Sequence, residues 1–468
     1  MEYPFWEVPL LGGGMVIALI AIVHVFVSHF AVGGGLFLVL TERKARREKS
    51  PEILHYVRSH SRFFILLTLV FGAITGVGIW FAIALAHPAG TSLLIHNFVF
   101  GWAIEWCFFV VEIAAALLYY YGWDRLTPRT HLAIGWIYFV SAYMSLVVIN
   151  GILSFMLTPG RWLEHGGFWN GFFNPSYFPS LLLRTGVALS LTGLYTLLTA
   201  SLVARESTRG KLVRYAAKWV FAGFAILPVA GLFYLLTIGT DARHIAFGGA
   251  PPVGIFLGLS LGISLFLLVF TWLLAWRMPA RFSPALAALF LVVGFVVTAT
   301  SEWVREAVRK PYVVHSTMYS NGIRPEQVAS LGRTGLLPHL RWARGQEIGT
   351  LGRRAAGEEL FRFQCASCHT IDGYNGIRPL IRGWRESFLA EQLRHLDELK
   401  GYMPPFAGTD EERRCLAHFL AGLWGFPAED QPLPVMDVAH SDPPGSTNAV
   451  EGAAVEGAAV ESAEEVER

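Results

Sequence analysis

LGGGMVIALIAIVHVFVSHFAVGGGLFLVL, residues 11–40, is long and apolar enough to cross a membrane as a single helix. Seven more apolar segments follow it, and the chain of 468 residues is 53% hydrophobic and 15% charged, unlike an ordinary soluble protein. The sequence therefore predicts an all-α fold, a polytopic bundle of eight transmembrane helices. The predicted segments are residues 11–40, 62–86, 98–121, 131–157, 180–204, 217–239, 252–276 and 283–303.

Lysine and arginine are concentrated in alternate loops of the predicted bundle. Because cytoplasmic loops carry an excess of these residues, the odd-numbered loops are expected in the cytoplasm. The N-terminus and the end of the eighth segment then lie outside a cytoplasmic (inner) membrane that the chain crosses several times. The N-terminus has no basic region or cleavage site, so the first segment is expected to be a retained anchor. The basic loop residues are Arg43, Lys44, Arg46, Arg47, Lys49, Arg125, Arg129, Arg205, Arg209, Lys211, Arg214, Lys218, Arg277 and Arg281.

CASCH, residues 365–369, has the composition of a covalent haem site. Cys365 and Cys368 can each add to a haem vinyl group, and His369 then lies under the iron as its proximal ligand. A CxxC pair alone also fits a redox dithiol or half of a zinc site, and the histidine that follows favours haem c. YMPPF, residues 402–406, predicts a loop that brings the Met403 thioether to the other face of the iron.

The region around CASCH resembles a class I cytochrome c domain, with a short helix before the motif and a closing helix near residue 416. Such haem is attached outside the cytoplasm, which agrees with the orientation predicted from the loops. We expect a transmembrane haem-binding domain (1–303), a linker (304–350), a small extracytoplasmic α-helical cytochrome c domain (351–427) and a disordered acidic low-complexity tail (428–468).

Ionisable side chains inside the predicted membrane segments are energetically costly, so each of them indicates a role. His24 lies mid-segment, which favours a role as an axial haem ligand. His29 points about 140° away around the helix, so the two cannot share one site. Glu105 and Glu112 lie two turns apart on one face, which favours a proton path over a structural pair. Haem ligation and simple helix contacts are both open for His29, His60 and His131.

The membrane segments resemble subunit I of the cytochrome bd oxidases over residues 5–315. The most specific feature is the block from Gly122 to Leu126, GWDRL, with its spacing from Glu112. The resemblance implies one or more haem b groups, with haem d as an alternative, and a second membrane subunit as partner. It makes His24 an axial ligand and Glu302 the candidate ligand of a second haem. The other matching blocks are residues 21–33, 71–76, 148–151 and 309–312.

The sequence also departs from this family pattern. Arg184 stands where the family has the histidine ligand of its low-spin haem b, and an arginine cannot ligate iron. Residues 252–276 contain no methionine to serve as the matching second ligand, and the long quinol-binding loop is reduced to residues 240–249. These differences place the usual quinol entry in doubt.

Three functions are consistent with this pattern. The favoured hypothesis is an oxidoreductase of a respiratory chain, a bd-like terminal reductase of oxygen or a similar small acceptor, which receives electrons through haem c. An alternative is a quinol:cytochrome c oxidoreductase subunit without oxygen chemistry, and a third is a membrane-tethered electron shuttle. An external cytochrome or a quinol is expected as redox partner. A formal net charge of +2 does not indicate nucleic-acid binding, and none is expected.

Overall fold

The computed structural model describes Tyr3 and residues 6–425. Within this part, eight helices have the length and hydropathy needed to cross a membrane, which confirms the predicted all-α bundle. The acidic tail predicted at 428–468 lies outside the described residues. In chain order the helices are α1 (Gly12–Arg47), α2 (Pro51–Ala86), α3 (Pro88–Tyr121), α4 (Pro128–Phe155), α5 (Tyr177–Ser201), α6 (Glu206–Thr237), α7 (Pro251–Arg277) and α8 (Pro284–Ala307).

Some helices begin before the first residue of their apolar segment, directly after a polar N-cap residue. The apolar run of α2 begins at residue 62, whereas the helix begins at Pro51, directly after the N-cap Ser50. Its first turns carry histidine and arginine, so hydropathy alone does not detect them. Helix α4 likewise begins at Pro128, after the N-cap Thr127 and three residues before its predicted start, whereas α8 begins at Pro284, after the N-cap Ser283 and close to its predicted start.

Helix α1 packs against α2, α4, α5 and α8. A Cβ atom at Gly33 would lie 2.2 Å from Thr192 Oγ1 of α5, so only a glycine permits this close approach. On another side of α1, Phe26 packs edge-on against Phe295 of α8, with 5.2 Å between ring centroids. The helix that carries His24 is therefore held by several neighbours at once.

Short elements connect the membrane helices. A π-helical segment, Leu66–Gly72, lies within α2, and another, Thr271–Arg277, ends α7. The remaining short connecting elements are Trp162–His165, Phe168–Phe172, Thr240–His244, Ile245–Gly249 and Pro279–Arg281.

The C-terminal region is a small helical domain preceded by a two-stranded antiparallel hairpin. Its strands are β1 (Tyr312–Val314) and β2 (Met318–Tyr319), and its longer helices are α9 (Pro325–Thr334), α10 (Arg353–Gln364), α11 (Glu386–Arg394) and α12 (Asp410–Gly422). Shorter turns are Leu337–His339, Ile348–Leu351, Ile377–Leu380 and Leu396–Leu399.

Part of the segment predicted as a linker, 304–350, packs into the core of this domain. Leu336, Leu337 and Leu340 are buried in one apolar cluster with residues of α10, α11 and α12. The buried Glu412 carboxylate of α12 accepts the backbone N–H groups of Leu336 and Leu337 at 2.8 Å. These contacts fix residues 336–340 against the domain.

The small domain contacts the end of the bundle where α1 begins and α8 ends. The Tyr374 amide donates to the Leu10 carbonyl at 2.8 Å, and the Trp303 indole N–H donates to the Tyr374 hydroxyl at 3.2 Å. Arg362 forms an ion pair with Glu7. We call this the domain end of the bundle. The opposite end, where α1 ends and α2 begins, is called the basic end.

Candidate haem sites and an adjoining polar ladder

The CASCH motif forms a tight turn directly after α10. The amides of Cys368 and His369 donate to the Cys365 carbonyl at 3.0 and 2.9 Å, and both thiols are free of disulfide bonds. His369 Nδ1 lies 3.0 Å from the Asn375 carbonyl oxygen. Because a carbonyl can only accept, Nδ1 carries the proton and the Nε2 lone pair is available for an iron. Two free thiols and an oriented imidazole fit covalent haem c.

The loop that carries Met403 is attached to the helix before this motif. The Gln364 side-chain oxygen accepts the Ala407 amide N–H at 2.9 Å, and the Met403 amide donates to the Lys400 carbonyl at 2.8 Å. Phe406 packs against the same apolar cluster as Cys365. The loop is therefore anchored on the domain core, as a second axial ligand to the same iron would require.

The CASCH motif lies against the first turn of α1. The Ser367 carbonyl oxygen is 3.7 Å from the Cβ position of Gly14, and the Thr370 methyl group is 3.5 Å from that of Gly12. His24 follows Gly14 by ten residues on the same helix, a rise of about 15 Å. The helix that carries the predicted membrane ligand therefore begins at the haem c motif.

His24 is oriented by a threonine of α2. Thr75 Oγ1 donates its single proton to the Phe71 carbonyl at 2.8 Å, so at 3.1 Å from His24 Nδ1 it acts as acceptor. The His24 Nδ1 is then protonated and Nε2 is left with its lone pair. This is the tautomer that an axial haem ligand requires, with a fixed partner on the other nitrogen.

The other three histidines differ from one another in their partners. His131 uses both ring nitrogens, because Nδ1 bonds the Glu42 carboxylate at 2.9 Å and Nε2 the Tyr119 carbonyl at 2.8 Å. His60 bonds Thr199 Oγ1 through Nδ1 at 2.8 Å, and its buried Nε2 has no hydrogen-bond partner among the described residues. His29 Nδ1 bonds the carbonyl one turn earlier in α1, at 2.9 Å.

Glu302 lies near the domain end of α8. Its carboxylate accepts from Arg305 Nε at 2.8 Å, and its side chain is 16% exposed. Within the described part of the chain, no hydrogen bond or ion pair joins Glu302 to His24. On α5, Arg184 is buried, and its Nε atom has no hydrogen-bond partner among the described residues.

Glu105 and Glu112 both face α4. Ser145 Oγ donates to the Glu105 carboxylate at 2.7 Å, and the Tyr138 hydroxyl donates to the Glu112 carboxylate at 3.0 Å. Tyr138 also lies 3.2 Å from the Ala31 carbonyl of α1. Each carboxylate thus has a hydroxyl partner on the neighbouring helix.

The same pairing continues to the basic end. The Tyr119 hydroxyl donates to the buried Glu42 carboxylate at 2.7 Å, and Arg46 Nε donates to the same group at 2.7 Å. His131 bonds both Glu42 and the Tyr119 carbonyl. We call this set the polar ladder: Glu105, Glu112 and Tyr119 of α3, Ser145, Tyr138 and His131 of α4, and Glu42 of α1.

The partners of the two glutamates are the residues that the sequence interpretation missed. A signal for them exists, since residues 105, 112 and 119 recur every seven positions and so do 131, 138 and 145. Seven residues are about two helical turns, so each set lies along one face. Two antiparallel helices facing each other with these sets bring their members together in pairs.

Comparisons with known proteins find similarity for both parts of the chain. Residues 15–246 match the family model of cytochrome bd terminal oxidase subunit I, and residues 352–420 match that of cytochrome C oxidase, cbb3-type, subunit III. A Bacillus subtilis (strain 168) protein assigned as a cytochrome bd menaquinol oxidase subunit I is 26% identical over 226 residues, 46% of this chain and 49% of the relative. The chain thus spans about half the length of that relative.

The fold is similar to that of the bd oxidase from Geobacillus thermodenitrificans. The match has a TM-score of 0.56 at 17% sequence identity, and it covers 66% of this chain and 88% of the other. These matches support a covalent haem c in the C-terminal domain and haem b in the bundle.

The eight membrane-length helices and the two family matches place the chain among multi-pass membrane proteins that are similar to the haem proteins of respiratory electron transfer. Residues 15–246 are similar to cytochrome bd terminal oxidase subunit I, and residues 352–420 are similar to a cytochrome c domain, the cbb3-type subunit III.

Proposed function

We propose that the chain is the electron-accepting and haem-bearing subunit of a bd-like terminal reductase. Cys365, Cys368, His369 and Met403 would hold a covalent haem c, which would supply the entry point for electrons. His24 would hold a membrane haem, which would supply the site where oxygen or a similar small molecule is reduced. The observation that carries the proposal is the contact between the CASCH turn and the first turn of α1, the helix that also bears His24.

The bound haem groups supply the one-electron chemistry, and the side chains hold, orient and deliver protons. Thr75 keeps the His24 imidazole in the ligating tautomer. Glu302, at the domain end of α8, is the ligand we assign to a second membrane haem. Arg184 stands where the resemblance places a haem ligand and cannot bind iron, so we assign the supply of electrons to the c domain that carries the CASCH motif.

The polar ladder provides proton transfer groups from the basic end towards the middle of the bundle. Carboxylates, tyrosine hydroxyls and an imidazole alternate along it, and each can accept and release a proton. We assign Glu112 and Glu105 as the groups that pass protons on towards the proposed acceptor site. Protons for reduction of the acceptor therefore enter at Glu42 and His131, the end opposite to the c domain.

We further infer that the c domain faces the outside of the cytoplasmic membrane, as the basic loop residues indicate. An external cytochrome is then the direct donor, and haem b is the group assigned to the His24 site, with haem d as the alternative. The strongly apolar exposed faces of α2 and α3 suit a second membrane subunit, which the resemblance to bd oxidases also implies. The domain boundaries 303/304, 350/351 and 427/428 remain predictions.

Reduced-minus-oxidised spectra of the purified protein, with and without carbon monoxide, test this proposal. A reductase requires a carbon monoxide-reactive haem with an open coordination position. Six-coordinate b and c bands without any carbon monoxide response would contradict it and favour a quinol:cytochrome c oxidoreductase subunit.

Two variants test which residues hold the haem groups. His24→Ala should lose one membrane haem by pyridine haemochromogen assay while keeping haem c. Met403→Ala should retain covalent haem c and shift its spectrum to high spin or lower its potential. An unchanged haem count in His24→Ala would refute the ligand assignment.

A further inference from the structure

A cavity of about 630 Å³ opens at the basic end between α1, α2, α6 and α7. It lies where these helices reach the edge of the membrane, on the side opposite to the c domain. None of the groups assigned to haem binding or to the polar ladder lines it. Its function is therefore separate from the proposed electron and proton routes.

Five basic side chains line this cavity. Lys211, Arg214 and Lys218 of α6 are spaced three and four residues apart, so they lie on one helical face. Lys44 of α1 and Arg277 of α7 complete the set. Other basic residues at the same end do not belong to this set, since Arg125 and Arg129 are exposed and lie outside the cavity.

A single carboxylate lines the cavity, that of Glu48, and it is already hydrogen-bonded to Lys44. Arg214 Nε donates to the Trp276 carbonyl at 3.1 Å, which fixes its guanidinium beside the cavity. The lining therefore carries a large excess of positive charge, which attracts an anion.

The cavity is also amphipathic. Ile53 and Leu212 form part of its wall together with the Trp276 ring, and the Lys218 ammonium lies 5.8 Å from the centroid of that ring. Next to it, Arg277 lies 5.5 Å from the ring of Trp272, a side chain 47% exposed on the flank of α7. An aromatic pair at the membrane edge with cations above it is typical of an interface with lipid headgroups.

We propose that this cavity binds the phosphodiester headgroup of an anionic membrane phospholipid. The cations hold the phosphate, and the glycerol and first methylene groups contact the apolar wall beside Trp272 and Trp276. A basic pocket between transmembrane helices on the cytoplasmic side is suited to such headgroups. A soluble phosphate would use the charges alone and would have no need of the apolar wall.

The test compares lipids on the detergent-solubilised holoprotein by native mass spectrometry and by thermal unfolding. Phosphatidylglycerol is expected to bind and raise the melting temperature, whereas phosphatidylcholine is not. Each basic side chain contributes about fivefold to affinity near an anionic surface, so Lys211→Gln with Lys218→Gln should weaken phosphatidylglycerol binding about thirtyfold. Lys211→Arg with Lys218→Arg should restore it.

The matched control is Arg125→Gln with Arg129→Gln, which removes the same charge from the same end outside the cavity. Equal loss of binding in both double variants would overturn the proposal, because it would reduce the effect to net charge. Stabilisation by inorganic phosphate or glycerol 3-phosphate as strong as that by phosphatidylglycerol would overturn it in favour of a soluble anion. The melting temperature of each variant without added lipid reports whether its bundle has folded.

Discussion

Trp303 donates its indole N–H to the Tyr374 hydroxyl at 3.2 Å and so joins the end of α8 to the loop after the haem c motif. Tyr374 in turn bonds the Leu10 carbonyl before α1 through its backbone amide. Trp303 also follows Glu302, the residue assigned to a second membrane haem. The c domain is thus attached beside both helices that carry the proposed membrane ligands.

Trp303→Phe should loosen this attachment, because it removes one hydrogen bond, worth about 1 kcal/mol. We expect several-fold slower electron transfer from haem c to the membrane haem after rapid reduction, with unchanged haem spectra. Trp169→Phe, at an exposed tryptophan that does not contact the domain, is the control. An unaltered transfer rate in Trp303→Phe would show that this bond does not position the domain.

Thr75→Val should weaken haem binding at His24, because Nδ1–H loses its acceptor while the side chain keeps its volume. Loss of such a supporting partner typically costs about 10–100-fold in affinity for the bound metal group. The measurement is the haem b to haem c ratio after purification. Thr300→Val removes a hydroxyl that bonds only its own helix, and it should leave the ratio unchanged.

Glu112→Gln should lower the turnover with a reduced external donor by about 100-fold, the lower range for loss of a proton transfer group. Tyr138→Phe, which removes its hydroxyl partner, should act in the same direction but less strongly. Haem content and the reduction of haem c should remain normal. Full turnover in Glu112→Gln would exclude the polar ladder as the proton route, and Glu164→Gln on an exposed surface is the control.

Glu42→Gln should destabilise the bundle, because the buried carboxylate accepts hydrogen bonds from Tyr119, Arg46 and His131 together. The glutamine amide keeps one acceptor oxygen and replaces the other by an NH2 group, which can only donate where these donors need an acceptor. Breaking a buried charge pair costs about 3–5 kcal/mol. A clearly lower melting temperature in detergent is expected, and the exposed Glu52→Gln should leave it nearly unchanged.

His87 should make the protein sensitive to acid. It donates from Nε2 to the Ser320 carbonyl at 2.7 Å and accepts the Gly90 amide N–H at Nδ1, and burial lowers its pKa below the ordinary 6.5. The folded protein then binds this proton less readily than the unfolded chain. The resulting stability is present above about pH 6.5 and is lost as the pH falls towards the lowered pKa.

The measurement is the melting temperature at pH 7.5 and pH 5.5. His87→Asn keeps an N-cap acceptor for Gly90 but cannot titrate, so the fall in melting temperature on acidification should become smaller. His165→Asn, at an exposed site, should behave like the unchanged protein. An equal fall in both variants would contradict the role of His87.

Local features of the sequence were enough to predict the bundle and the haem c motif. Eight apolar runs specify eight helices, because a membrane helix satisfies its own backbone hydrogen bonds and needs no distant partner. The CASCH motif can also be recognised from local sequence, because its two thiols and its imidazole lie within one turn of the chain. The sequence YMPPF at residues 402–406 likewise predicted a loop that carries Met403 within the cytochrome c domain.

Tertiary structure decided which side chains serve each site. Thr75 lies fifty-one residues from His24, and Glu42 lies eighty-nine from His131, so no local pattern links them. The contact of the CASCH turn with α1 joins residues more than 350 positions apart. Such pairs depend on which helices pack against each other. Close contacts between helices, such as that of Gly33 with Thr192, determine this packing. The sequence therefore identified His24, Glu112 and His369 as candidate site residues. The packing of the helices determined their hydrogen-bond partners and their distances from one another.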